Sequence, residues 1–269
     1  MARYVAEGTA VTLVTCTLGD EGEILLPEQA HRAANAQDTL GGYRWLELQS
    51  AMAELGVSDI RLLGGWVTDG MARWRDSGMA GAPSNDHPRA FMHADSHAVE
   101  SLVEVLLDVR PQVVVTYDSN GGYGHPDHVQ AHRITHAAVA IAAAEGWRVS
   151  KVYACARVHD IEQADRSRFA QDGEGTPFRA GDDDFSWAVP WHRVTTSIEA
   201  DTWLPAKARA LAAHATQVQV AGQWYALSDG IAAALRGTEY FTCEVGIPEL
   251  GEDGLEHDLF AGLEEIDET

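Results

Sequence analysis

The stretch from Val113 to His128, VVVTYDSNGGYGHPDH, constrains the fold more than any other part of the sequence. Its β-branched apolar run predicts a buried strand, and the turn rich in Gly and Asn that follows predicts a sharp change of direction. Pro126 then stands where a helix can begin without losing a hydrogen bond. This strand, turn and helix place two histidines and an aspartate at the carboxyl end of a strand, which is where open α/β sheets form their sites.

Strand and helix patterns alternate along the rest of the chain, which predicts an α/β fold with a mostly parallel sheet and helices on both faces. A length of 269 residues fits one large domain, 1–269. Within that domain we predict a projecting insertion at 158–190 and an acidic C-terminal segment at 249–269. We also predict a helical break at Gly41-Gly42 and a last amphipathic helix at 255–263.

Composition narrows the class of protein. The formal net charge of −22 argues against binding to nucleic acid or to an anionic membrane surface, since both need clustered Lys and Arg. No apolar run approaches the ~20 residues that span a membrane, so we expect a cytoplasmic protein. Three cysteines lie far apart without the paired spacing of a disulfide framework. These features suit an enzyme that acts on a small neutral or cationic molecule.

The His-Pro-Asp-His run carries the chemistry. Neutral imidazole is a good zinc ligand, and both His125 and His128 stand at the predicted mouth of the site. His132 and His136 follow at steps of four, but they lie about 6 and 12 Å further along the helix axis, so we expect them to serve packing or support. The alternative is an ordinary helix start, with Asp127 offsetting the helix dipole and surface histidines.

An acidic loop at 17–24 follows a neighbouring predicted strand. Because the carboxyl ends of parallel strands meet at one edge of a sheet, Glu21 and Glu23 can reach the same crevice. A solvated acidic turn is the alternative interpretation. Spacing alone does not separate the two.

Five segments together resemble the LmbE/PIG-L family of zinc deacetylases. They are TLGDEGEI, LGGYR, ARWRDSGMAG, VVVTYDSNGGYGHPDH and LAAHATQV. Within the family, GYGHPDH and RWRDSGM are most similar to the branch of N-acetylglucosaminyl-inositol deacetylases of mycothiol biosynthesis. The resemblance implies a Rossmann-like fold and hydrolysis of an acetamide on a glucosamine-inositol pseudodisaccharide. A mycothiol S-conjugate amidase and a non-catalytic sugar-binding pseudo-enzyme remain the alternatives.

The resemblance also implies roles for individual residues. His128 would be a zinc ligand, although Fe²⁺ would suit the same ligands, and His125 would stabilise the oxyanion or protonate the leaving amine. Asp127 would tune the orientation and charge of His125, and Tyr123 would sit beside the scissile carbonyl. The residues expected to hold sugar and inositol hydroxyls are Glu23, Arg44 and Asp76.

One family signature, Ala-His-Pro-Asp-Asp-Glu, does not occur in this sequence. In the family it ends the first strand and supplies two zinc ligands and the general base, so the chain resembles a fold that is missing its first strand. That strand is central in doubly wound sheets, and its loss would leave unpaired edges inside a buried sheet. We therefore expect the coding sequence to continue upstream of Met1; the alternative is a genuine truncation without hydrolase activity. A stop codon there, with no His-Pro-Asp-Asp frame, would contradict this expectation.

Overall fold

The computed structural model describes residues 1–182 and 184–263. The α-helices are α1 (Ala2–Ala6), α2 (Leu40–Leu55), α3 (Ser96–Val109), α4 (Gly121–Gly124), α5 (Pro126–Ala144), α6 (His159–Asp172) and α7 (Leu204–Ala213). The strands are β1 (Thr12–Thr15), β2 (Asp59–Leu62), β3 (Trp66–Thr68), β4 (Met71–Ala72), β5 (Val113–Thr116), β6 (Lys151–Ala156), β7 (Thr196–Ile198), β8 (Gln219–Ala221), β9 (Trp224–Ala226), β10 (Ala233–Ala234) and β11 (Glu239–Val245). Over the described ranges, no helix combines the length and the apolarity that crossing a bilayer requires.

The larger sheet has the strand order β5-β6-β11-β7. β5 and β6 run parallel, with Val113 opposite Lys151, while β11 runs antiparallel to both β6 and β7. A separate parallel pair joins β1 to β2, with Thr12 opposite Asp59. The smaller antiparallel sheets are β3-β4 and β8-β9-β10. The predicted α/β class is confirmed, with parallel and antiparallel pairs mixed.

Strands β1 and β5 each have one edge without a ladder partner in the part of the chain that the structure describes. Val14 of β1 and Val114 of β5 nevertheless pack against the same hydrophobic cluster. Side-chain burial, rather than a continuous hydrogen-bonded ladder, therefore holds the two parallel pairs to one core. Val115 of β5 stays 44% exposed, although its β-branched neighbours are more buried.

The main core lies between α3, α5 and the sheet. Leu102 and Leu106, four residues apart on α3, share one helix face and are buried with Ile134 and Ala138 of α5. Burial of each large aliphatic side chain contributes about 1.5–3 kcal/mol before entropic costs. This packing fixes α5 against the sheet and sets its first turn just beyond the end of β5.

The predicted helical break at Gly41-Gly42 is wrong. Both glycines lie inside α2, and the non-helical stretch comes before it, at 33–39, where Asp38 adopts a positive φ of 52° and binds Arg75. The 64–92 segment, in which the sequence shows little periodicity, contains the β3-β4 hairpin and short 3₁₀ turns.

The 158–190 segment begins with α6, and Phe169 and Phe185 are buried in it. The Asp165 carboxylate pairs with Arg236, which ties α6 to the chain before β11. Asp183, in the acidic run of this segment, lies outside the described residues. That the segment is an insertion into a single domain stays a prediction.

The predicted helix at 255–263 is absent, and turns occupy those positions. Glu256 is fully buried there and accepts hydrogen bonds from Lys151 Nζ at 2.5 Å, Tyr153 Oη at 2.5 Å and Thr196 Oγ1 at 3.0 Å. We call these four residues the Glu256 cluster. Because the cluster fixes one glutamate deep against the sheet, the segment follows its contacts instead of a helical repeat. Residues 264–269 of the predicted acidic segment lie outside the described residues.

Candidate active site

The turn between β5 and α5 aims the predicted site residues inward. Asp118 Oδ1 accepts hydrogen bonds from the backbone N–H groups of Asn120 and Gly122, at 3.0 and 2.8 Å. Such an Asx turn reverses the chain without help from a sheet ladder. His125 then becomes the N-cap of α5, and Pro126 takes the first helical position.

His125 is held in one orientation by its own helix. Its Nδ1 accepts a hydrogen bond from the Asp127 backbone N–H at 3.2 Å, and its Nε2 lies 3.9 Å from Asp76 Oδ1. Burial lowers the pKa of His125, although the Asp76 carboxylate opposes that shift. A neutral imidazole that accepts at Nδ1 carries its proton on Nε2. His125 therefore presents an N–H donor toward Asp76 and the crevice.

His128 has the opposite tautomer. Its Nδ1 lies 3.2 Å from the Gly121 carbonyl oxygen, which accepts the Nδ1–H and leaves a lone pair on Nε2. Tyr117 stacks on the ring at a centroid distance of 4.0 Å, and the His125 ring lies 4.7 Å away. Burial, with a smaller contribution from His125, lowers the pKa of His128 to about 4. The side chain is neutral at pH 7 and suited to binding a metal.

The Asp127 carboxylate is buried, and one of its two oxygens accepts a hydrogen bond. Its Oδ2 accepts a hydrogen bond from the Ser77 backbone N–H at 3.1 Å, whereas Oδ1 has no hydrogen-bond partner among the described residues. Burial raises the pKa of Asp127 to about 7; the Ser77 hydrogen bond opposes the rise and the nearby Asp76 adds to it. It is the backbone of Asp127, and not its carboxylate, that orients His125.

Asp76 lies between His125 and the 17–24 loop. Its Oδ1 accepts from the Gly78 N–H at 2.9 Å and its Oδ2 from the Glu21 N–H at 3.3 Å. Asp20 was not predicted, yet its Oδ2 accepts from the Asp76 backbone N–H at 3.4 Å, and burial raises its pKa. Three buried aspartates thus converge on one small region, with Asp127 as the third.

Arg44 is buried beneath the 17–24 loop. Its Nη1 donates to the Gly19 carbonyl at 2.5 Å and its Nη2 donates to the Glu23 carbonyl at 2.9 Å, while Nε has no partner in the described chain. A side chain on Gly19 or Gly22 would collide with the guanidinium group, so Arg44 would have to shift to accept it; Gly19 also has a positive φ of 67°, which favours glycine. The Glu23 side chain is exposed, and its contact with Arg44 is made by the backbone alone.

Arg75 is a further member that sequence reasoning missed. It is 6% exposed and pairs with Glu21 at 2.5 Å and with both oxygens of Asp38, at 3.0 and 2.7 Å. Bidentate geometry makes this one of the stronger kinds of ion pair. The signal in the sequence that could have pointed to Arg75 was its position directly before Asp76. Arg75 joins the loop of Glu21 to the segment that carries Asp76.

Tyr123 lies at the rim. It is 48% exposed, and its ring meets those of His125 and His128 edge-on at centroid distances of 6.1 and 5.4 Å. The structure therefore brings together His125, Asp127, His128, Tyr123 and Asp76, with Arg44 one layer behind them.

The fit of this site to a metal ion is partial. His128 offers a free Nε2, and the unpartnered Asp127 oxygen is a second donor close by. Among the described residues, however, these donors do not gather into a three-ligand group. The group that does form consists of His132, His136 and Glu244, whose ligand atoms all lie within 4.8 Å of one another.

Comparison with known proteins identifies the family. The model of the PIG-L family, GlcNAc-PI de-N-acetylase, matches residues 1–139. The chain is 49% identical to a 1D-myo-inositol 2-acetamido-2-deoxy-alpha-D-glucopyranoside deacetylase from Thermobispora bispora, over 98% of this chain and 92% of that protein. A protein of the same name from Geodermatophilus obscurus is also 49% identical, over 98% and 91% of the two chains. The chain therefore belongs to the PIG-L family of de-N-acetylases, and the resemblance seen in its motifs is confirmed.

Solved structures support the fold. The chain superposes on a 4-carboxy-2-hydroxymuconate hydratase from Pseudomonas putida with a TM-score of 0.53 and 18% identity, covering 93% of this chain and 90% of that one. At this identity the likeness extends to the fold and not to the chemistry.

Proposed function

We propose that this chain hydrolyses the acetamide of 1D-myo-inositol 2-acetamido-2-deoxy-α-D-glucopyranoside to the free amine and acetate, a step of mycothiol biosynthesis. The observation that carries the proposal is the convergence of His125, Asp127 and His128 beside Asp76 in a chain so similar to the deacetylases named above. An amide hydrolase needs a donor for the developing oxyanion and a group that handles the leaving amine. We also propose that it acts in the cytoplasm.

His125 suits the first of these tasks. Because Nδ1 is engaged by the Asp127 N–H, the proton on Nε2 points into the crevice, where it can donate a hydrogen bond to an oxyanion. Its lowered pKa keeps the ring neutral, which suits that task; to protonate the leaving amine, the ring would first have to take up a proton, because a neutral imidazole cannot give up its only N–H proton without becoming an anion. In the proposal Tyr123 contacts the acetyl group, which is supported by its position at the rim beside both histidines.

In the proposal the substrate hydroxyls are bound by acidic and basic groups around the crevice. Asp76 is the buried carboxylate nearest His125, and its two oxygens already accept backbone N–H groups that fix their direction. Arg44 supports the 17–24 loop from beneath, and Glu23 extends that loop toward solvent. In the proposal these three residues hold the sugar and inositol.

The proposed cofactor is zinc, with Fe²⁺ as the alternative, since imidazole and carboxylate ligands suit both. His128 would be its ligand, and the carbonyl of Gly121 already fixes the tautomer that binding needs. When bound, such a metal polarises the amide carbonyl and lowers the pKa of its bound water.

Release of free amine from the acetylated pseudodisaccharide tests the proposal. After EDTA treatment and addition of Zn²⁺ or Fe²⁺, we expect turnover that falls about 10²–10⁴-fold in His125→Ala and disappears in His128→Ala, together with the metal bound at that site. His257→Ala is the matched control, because His257 is an exposed histidine whose hydrogen bonds go to Asp253 and the Ser197 carbonyl.

Two outcomes contradict the proposal. Faster turnover of a mycothiol S-conjugate than of the acetylated substrate would favour an amidase instead. Binding of the pseudodisaccharide with no amine release under either metal would favour a sugar-binding protein.

A further inference from the structure

A second cluster of metal-ligating side chains lies on α5, outside the candidate active site. Glu244 of β11 reaches back to the helix, where its Oε2 lies 2.8 Å from His136 Nε2 and 3.6 Å from His132 Nδ1. The two imidazole rings are 4.4 Å apart. One ligand atom from each of the three side chains lies within 4.8 Å of the others.

The donor set and spacing match a transition-metal site. Two histidines four residues apart on a helix face the same side, and two imidazoles with one carboxylate form a known zinc ligand set that leaves one position open. Bonds of about 2.0–2.1 Å at tetrahedral angles separate ligand atoms by about 3.3 Å. The 2.8 Å between Glu244 Oε2 and His136 Nε2 and the 4.8 Å within which all three ligand atoms lie are on either side of that separation.

The surroundings hold the ligands in place. His132 Nδ1 lies 3.0 Å from the Tyr117 carbonyl oxygen, so the ring donates its Nδ1–H there and keeps a lone pair on Nε2. The side chains of His132, His136 and Glu244 are 16%, 30% and 20% exposed, which is buried enough for order and open enough for an ion to enter. Lys and Arg are absent from the contacts that the structure gives these three groups.

We infer that His132, His136 and Glu244 form a divalent transition-metal site that takes Zn²⁺ and is separate from the candidate active site. Bound there, the ion joins α5 to β11. Tyr117 links the two regions, since its carbonyl orients His132 while its ring stacks on His128 one helical turn away. The site therefore supports the part of α5 that carries His128.

Zinc binding measured in a His128→Ala background tests this inference without relying on the proposed function, because turnover is not a readout. Equilibrium dialysis with Zn²⁺ is expected to give one ion per chain in His128→Ala. Adding His136→Ala or Glu244→Gln should weaken that binding at least about 100-fold, since loss even of an outer partner costs 10–100-fold. Adding His257→Ala should leave it unchanged, because among the described residues His257 does not belong to a group of three metal-ligating side chains.

Circular dichroism distinguishes ligand loss from unfolding, and Glu244→Gln preserves the size of the side chain. A rise in Tm with Zn²⁺ should appear in His128→Ala and vanish in both double variants. The inference is overturned if His128→Ala binds no zinc, or if the double variants that keep a native spectrum bind it as tightly as His128→Ala.

Discussion

Two buried polar clusters in this molecule differ in how completely their buried carboxylates are paired. In the Glu256 cluster, both carboxylate oxygens accept hydrogen bonds, and the charge faces Lys151, which is 2% exposed. In the candidate active site, Asp127 is also buried but has one hydrogen-bonded oxygen, and the charged group that acts on it is another carboxylate, Asp76. Complete pairing stabilises the first cluster. In the second, the carboxylate oxygen without a hydrogen bond is available to a ligand.

Lys151→Met breaks the satisfied cluster and should have the largest effect. It leaves the buried Glu256 charge uncompensated, so the free energy of unfolding is expected to fall by about 3–5 kcal/mol in urea titrations. Lys207→Met is the matched control, since Lys207 and Glu239 form a partly exposed pair in which the side chains are 34% and 45% exposed. That change should cost less than about 1 kcal/mol. Equal losses in the two variants would remove the distinction between the clusters.

Asp127→Asn should stabilise the protein, whereas Lys151→Met destabilises it. Removing a half-satisfied buried charge is expected to raise the free energy of unfolding by about 1–3 kcal/mol in metal-free protein at pH 8, while the proposed deacetylase activity is lost. Stability and activity measured on the same preparation test the trade-off. A loss of stability at pH 8 would show that the carboxylate is structural and not reserved for function.

The pH dependence of the free energy of unfolding tests the same comparison, with a smaller expected effect. The pKa of Asp127 is raised to about 7, so its contribution to stability is present below about pH 4 and is lost as the pH rises toward 7. The advantage of Asp127→Asn over the native chain should therefore shrink as the pH falls from 8 to 4. Urea titrations across that range, in EDTA, measure it.

Glu256 should behave in the reverse way. Burial acts to raise its pKa, but the hydrogen bonds from Lys151, Tyr153 and their neighbours outweigh it, and the pKa is lowered. Its stabilisation is present above about pH 4.5 and is lost at more acid pH. The destabilisation caused by Glu256→Gln should thus be largest at neutral pH and decrease in acid. A deficit that is constant with pH would contradict the ionic account of this cluster.

Local sequence predicted the parts of the site that local structure builds. The apolar run, the turn and Pro126 were enough to place His125 and His128 at the start of α5, and β5 and α5 begin at Val113 and Pro126. The interpretation of His132 and His136 as packing residues missed their partner, because Glu244 lies more than a hundred residues further along the chain.

Contacts between distant segments explain the other errors as well. Asp20 and Arg75 owe their roles to an encounter between the first loop and the segment carrying Asp76, which no periodicity records. The absent helix at 255–263 has the same cause, since Glu256 exchanges helical hydrogen bonds for a buried ion pair. Long-range electrostatics, and not propensity, decided these positions.

The close fit of Arg44 under Gly19 and Gly22 has a consequence for anyone who redesigns this enzyme's substrate range. A larger residue at position 19 or 22 requires Arg44 to shift or to be replaced, so the loop and position 44 have to be changed together. Mutant libraries that vary the loop alone should return mostly inactive clones. Libraries that vary positions 19, 22 and 44 together should recover new combinations.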